Sequence, residues 1–120
     1  MGYDTQALPK NINELLVLSA LQGGAKHGYQ IALDVEDASG GMFDLQHGTL
    51  YPLLHRLERD GLVEGRWTEG GGRRRKEYAL TATGRKHLGT EGRALQAAMQ
   101  RLVELLGVSD GGLRARPAEG

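Results

Sequence analysis

Across Gly61 the spacing of apolar residues changes from helical to extended, and that change restricts the fold more than any other feature of the chain. Upstream, "GTLYPLLHRLERDG" (48–61) places Leu50, Leu53, Leu54 and Leu57 on one face of a helix, and Gly61 supplies a stop. Pro52 falls near the helix start, where a missing backbone donor costs little because the first donors have no internal partner. Downstream, "LVEGRWTE" (62–69) and "RRKEYALT" (74–81) alternate with period two around Gly70, Gly71 and Gly72, the signature of a hairpin. Glycines at the tip can take positive φ where the chain reverses, and Arg73, Arg74, Arg75 and Lys76 beside them resist burial because desolvating a charge is costly. Loop and charge therefore face water, or a phosphate.

Two shorter helices precede this unit. "NINELLVLSALQ" (11–22) carries Ile12, Leu15, Leu16 and Ser19 at helical spacing, with Asn11 as a cap and Gly23-Gly24 as the stop. "HGYQIALDVEDA" (27–38) carries Ile31, Ala32 and Val35 on one face and ends at Ser39-Gly40-Gly41. After the hairpin, Leu88, Leu95 and Leu102 recur with heptad spacing beside Ala98, Met99, Leu105 and Leu106, an apolar stripe that needs a partner. Gly84, Gly89 and Gly92 weaken its first turns, so curvature or fraying is expected there, with a firmer helix from about Arg93 to the stop at Gly107. Residues 109–120 have no periodicity, and their glycine and charge predict a disordered tail.

With 120 residues, one core is all that fits. Net charge is +0, but its distribution is uneven: residues 1–54 hold 2 basic and 6 acidic side chains, residues 55–87 hold 9 and 5. A basic centre can meet a polyanion while the acidic part points away. The absence of cysteine excludes disulfides and thiolate metal sites, and no apolar run reaches the length of about 18 residues that a membrane span needs. The expectation is a cytoplasmic protein with no membrane partner. His27, His47, His55 and His87 have no metal-ligand spacing, so neither metal nor cofactor is expected. The triple glycine lacks the Lys-Ser or Lys-Thr of a phosphate-binding loop, which argues against an enzyme.

Helices, hairpin and striped helix together form the element list of a winged helix-turn-helix with a dimerisation helix, mainly α with a small β-hairpin. The stretches "HGYQI" (27–31), "GTLYPLLHRLERDGLVE" (48–64) and "RRKEYALTATG" (74–84) resemble the PadR family of bacterial transcriptional regulators, and in its length the chain is similar to the short subfamily with a single C-terminal helix. The resemblance implies a DNA-binding domain over residues 1–80 and a dimerisation helix over 81–108. It implies that the third helix enters the major groove of double-stranded DNA, with Gln46, His47, Thr49 and Tyr51 at the bases and Gly48 allowing close approach. His55 and Arg56 would meet phosphates, as would Tyr29 of the "HGY" motif and, more weakly, Lys10. Arg73, Arg74, Arg75 and Lys76 would grip phosphates or the minor groove from a flexible glycine tip. Leu88, Leu95, Ala98, Met99, Leu102, Leu105 and Leu106 would form a homodimer interface, and the homodimer would act as a repressor.

Three questions stay open at this level. Tyr51 can face DNA or pack against the second helix, and Trp67 reads as a packing residue at the base of the wing, with contact to a ligand as the alternative. Relatives also respond to small molecules near the dimer interface; with aromatics at only 5% no effector is identified, and Tyr3, Met42, Phe43 and Met99 are the candidate pocket residues. The alternative function is a winged helix that binds another protein.

Overall fold

The computed structural model describes residues 10–109 and 112–113. Helices α1 (Lys10–Ala20), α2 (Gly28–Ala38) and α3 (His47–Arg59) precede a hairpin of β2 (Val63–Gly70) and β3 (Arg73–Leu80). A short β1 (Lys26–His27) enters between α1 and α2, and α4 (Ala82–Leu106) follows the hairpin. The chain divides into a first unit ending at Leu88 and a second beginning at Gly89.

The first unit is built on the leucine face of α3. Leu50, Leu54 and Leu57 are completely buried, together with Val17, Leu18 and Leu21 of the α1 segment and Ile31 of α2. Removing one such leucine side chain typically costs about 2–5 kcal/mol. On α1 the buried face runs through Val17 and Leu18, whereas Ser19, expected on that face, is exposed. α1 also starts one residue earlier than Asn11, at Lys10.

The hairpin is tighter than its sequence suggested. Gly70 belongs to β2 and pairs with Arg73, which leaves only Gly71 and Gly72 in the turn. Their φ angles of 60° and 77° are the positive pair that a type I′ hairpin turn requires. A third strand, too short to leave a periodic trace, completes an antiparallel sheet of order β1-β3-β2, with Lys26 opposite Tyr78 and His27 opposite Glu77. Lys26 also forms an ion pair with Asp34 of α2. That bond, with a second from Gln30, holds the Asp34 carboxyl below its usual range.

Pro52 is placed differently from the expectation. It is the sixth residue of α3, beyond the partnerless first donors, so its ring removes a ladder bond that would have ended on Gly48. Both residues are exposed, and water can satisfy the released carbonyl.

α4 is helical from Ala82 onward, without a break at its glycines. Thr81 caps it: its hydroxyl accepts the Gly84 N–H at 2.9 Å and donates to the Gly61 carbonyl at 2.6 Å. Gly84 is buried, and a Cβ there would lie 2.0 Å from the Leu62 carbonyl oxygen, so its lack of a side chain is a packing requirement. α4 ends as expected, with Gly107 at φ 71° donating back to Val103 and Glu104. Beyond it, Val108–Ser109 pairs with Gly112–Leu113, where no regular structure was expected; the rest of that tail lies outside the described residues.

These two glycines separate propensity from packing. Gly92→Ala, with open space around the position, should stabilise the fold by about 0.5–1 kcal/mol through helix propensity. Gly84→Ala should instead destabilise it by about 1–3 kcal/mol through overpacking. Urea unfolding of the two variants at one protein concentration checks the opposite signs.

Candidate nucleic-acid interface

Burial of Leu50, Leu53, Leu54 and Leu57 fixes the rotation of α3 about its axis. At 100° per residue the opposite face carries Gly48, Pro52, His55 and Arg59, and all four are exposed. His47 and Tyr51 lie on one flank, their rings 5.5 Å apart and tilted by 56°. Thr49 and Arg56 lie on the other. Gln46 is the N-cap residue, with β-region backbone (φ −73°, ψ 151°), and its carbonyl accepts from Thr49 and Leu50. Its side chain bonds Asp44 and makes no capping bond, so no N-cap side chain covers the positive end of the helix.

The wing stands beside the His47–Tyr51 flank. Between them lies a groove of about 670 Å³ whose lining includes Tyr29, Tyr51, His55, Trp67 and the run Arg73 to Lys76. No carboxylate is among its lining residues. Sequence-distant candidates thus share one basic concavity: the start of α2, the middle of α3 and the outer half of β3. Gln46, His47 and Gly48 lie before the α3 residues that line it, and Thr49 and Arg56 turn away from it toward Asn13 and Pro52.

Not every positive charge here is equally available. Lys76 donates to Glu58 at 2.9 Å, and that bond raises its pKa, so it carries its charge in a matched pair. The pair crosses Gly65, where any Cβ would strike the Lys76 chain at 2.5 Å. Arg56 is likewise held, by Glu14 at 3.0 Å and Asp60 at 3.5 Å. Glu14 is buried and also accepts from His87 at 2.6 Å, which joins α1, α3 and the first turns of α4. Arg73, Arg74 and Arg75 are exposed and have no ion-pair partner among the described residues. These three carry the uncompensated charge of the wing.

Three readings change with the side chains in view. Tyr51 is half-buried and packs against the start of α2, where a Cβ on Gly28 would come within 2.8 Å of its ring, yet its edge still lines the groove. Trp67 is not packed at the base of the wing: it is 58% exposed, under the cationic heads of Arg74 and Lys76. Pro52 and Arg59 are not among the sequence-derived contact residues, although the leucine stripe locates the outward face once its opposite side is counted.

In the stripe of α4, Leu88 packs against the core of the first unit. Leu95 is half-buried, while Ala98, Met99, Leu102, Leu105 and Leu106 are exposed, as is Val103. Of the suggested effector residues, Phe43 lines a cleft between α1 and α2, Met42 is exposed, Met99 lies in the second unit, and Tyr3 lies outside the described residues.

A helical core carrying an outward-facing helix and a two-stranded basic wing defines a winged helix-turn-helix protein. The profile of the transcriptional regulator PadR-like family matches residues 17–90, and the chain belongs to that family. It is 38% identical to a transcriptional regulator of Mycobacterium tuberculosis over 72 residues, 60% of this chain and 54% of that protein. A transcriptional regulator of Escherichia coli is 32% identical over 74 residues, which span 34% of its length. The chain therefore spans about half of the first relative and a third of the second. Among solved structures, a PadR family transcriptional regulator from Eggerthella lenta superimposes with a TM-score of 0.70 at 30% identity, over 83% of this chain and 86% of that one. Bacillus subtilis PadR in complex with operator DNA gives a TM-score of 0.61 at 28% identity, over 66% of this chain and 45% of that one. No described helix is long and apolar enough to cross a membrane, and among the described residues no three or more His, Asp or Glu side chains come together as a metal site.

The Gly28–Tyr51 contact makes a prediction that needs no ligand. Gly28→Ala should destabilise the fold by about 1–3 kcal/mol by displacing the ring. Combined with Tyr51→Ala it should cost less than the sum of the single changes, as residues in contact do. Chemical denaturation of the four proteins of the cycle measures this.

Proposed function

We propose that this protein is a sequence-specific DNA-binding repressor that acts in the cytoplasm as a homodimer on a pseudo-palindromic operator. The observation that carries the reading is the basic groove in which the free wing arginines adjoin the outward side of α3. Gln46, His47, Gly48, Thr49 and Tyr51 approach base edges, and the exposed Pro52 offers apolar contact at the centre of the same face. His55, Arg59 and Tyr29 meet the backbone. Arg73, Arg74 and Arg75 supply the long-range charge, while Lys76 and Arg56 reach phosphates only by exchanging their carboxylate partners. The operator complex of the Bacillus subtilis relative supports the choice of a nucleic-acid partner.

The exposed Met99, Leu102, Val103, Leu105 and Leu106 support the dimer, since an apolar strip of this length on one helix is unfavourable in water. A twofold pair places the two α3 helices about 34–36 Å apart, one turn of DNA. A small-molecule effector would act by changing that distance. The test is binding to DNA upstream of the protein's own gene against scrambled DNA over a salt series. Tight, salt-sensitive and selective binding is expected; binding no better than to the scrambled control would turn the winged surface over to a protein partner.

Two variants divide the proposal. Arg74→Ala should weaken binding on every sequence and reduce the slope of log affinity against log salt by about 0.9, the loss of one phosphate contact. Leu102→Glu should yield a monomer in analytical ultracentrifugation and abolish tight operator binding while the first unit stays folded.

A further inference from the structure

The wing displays a large aromatic side chain that neither the core nor the proposed base readers account for. Trp67 pairs with Lys76 across the β2–β3 ladder, and Glu69 with Arg74, which puts Trp67, Arg74 and Lys76 on the sheet face that carries Tyr78. Over the indole lie the Arg74 guanidinium carbon at 4.8 Å and the Lys76 ammonium at 5.7 Å. Glu58 already compensates Lys76, whereas Arg74 makes no ion pair among the described residues, although Glu69 stands opposite it in the ladder. At 58% exposure, the indole is not serving as core.

A guanidinium held over an indole by cation–π attraction still has N–H groups directed away from the ring, free to grip a phosphate by two parallel bonds. Such an arginine is already oriented and loses less rotamer freedom on contact. The indole N–H is itself a donor without a built-in acceptor role. From this geometry we infer that Trp67 is a positioning residue of the wing: it aims Arg74 at the phosphate backbone of duplex DNA and lies at the protein–DNA boundary. The inference rests on the DNA-binding reading above.

The test uses the full-length protein and labelled duplex DNA, with affinity measured by anisotropy over a salt series for Trp67→Ala, Trp67→Phe, Arg74→Ala and the double alanine variant. Circular dichroism and urea unfolding of each variant separate folding from binding. Trp67→Ala is expected to weaken binding about two- to fivefold, the range of an exposed cation–π contact. Trp67→Phe should retain most of the affinity, and Trp67→Ala should add little once Arg74 is already alanine. Because the chain has one tryptophan, saturating DNA should also shield Trp67 fluorescence from acrylamide. An undiminished Trp67→Ala effect in the Arg74→Ala background, or no rescue by phenylalanine, overturns the positioning role while DNA binding stands. Unchanged quenching with DNA bound overturns the boundary placement. A wild-type protein that binds no duplex even at low salt overturns the functional reading, and this one with it.

Discussion

The burial of one face of α3 is the constraint on which the remaining geometry depends. Leu50, Leu54 and Leu57 have no exposure, so the helix cannot rotate without bringing a polar side chain into the core or leucine into water. That fixed rotation decides which residues look outward, and therefore which side chains can be read by a partner. The corner after α3 is held as firmly. Gly84 lets α4 approach the Leu62 carbonyl, and Thr81 ties the same corner to Gly61.

The basic groove depends on pairing as much as on composition. A chain with formal net charge +0 can present a cationic surface because its acids are used unevenly. Glu58 takes Lys76, Glu14 takes Arg56, and Asp34 takes Lys26, each at the level of secondary-structure packing. The three wing arginines are left without such partners. Lys76 and Arg56 look equivalent to the wing arginines in sequence, yet they brace elements against one another.

The three long-period elements were legible because burial dictates their apolar spacing, and the leucines of α3 are buried as the i, i+3, i+4, i+7 pattern requires. The hairpin was legible from its alternation, and the family from motifs that join these elements. What could not be read arises from contacts between distant residues. β1 is two residues long and exists because β3 offers it an edge. Gly84 looked like a weak point of a helix, since sequence shows its low propensity and not the carbonyl it accommodates. Ser19, expected on the buried face of α1, is exposed, and the burial continues instead through Val17 and Leu18 toward α2 and α3. Trp67 reads as a packing residue in sequence because its strand position does not show how far along the wing the core extends; it shares a sheet face with the buried Tyr78 but stands in the groove, 58% exposed.

The glycines of the wing tip invite the idea of a loose arm, but the ladder runs unbroken from Val63–Leu80 to Gly70–Arg73 and closes in two residues. Their positive φ angles serve to make the shortest reversal, not to add slack. Each strand residue then adds a fixed increment of about 3.4 Å to the distance between the core and the arginines. The wing acts as a ruler: its number of rungs sets how far along the sheet the arginines stand from the core end at Val63–Leu80.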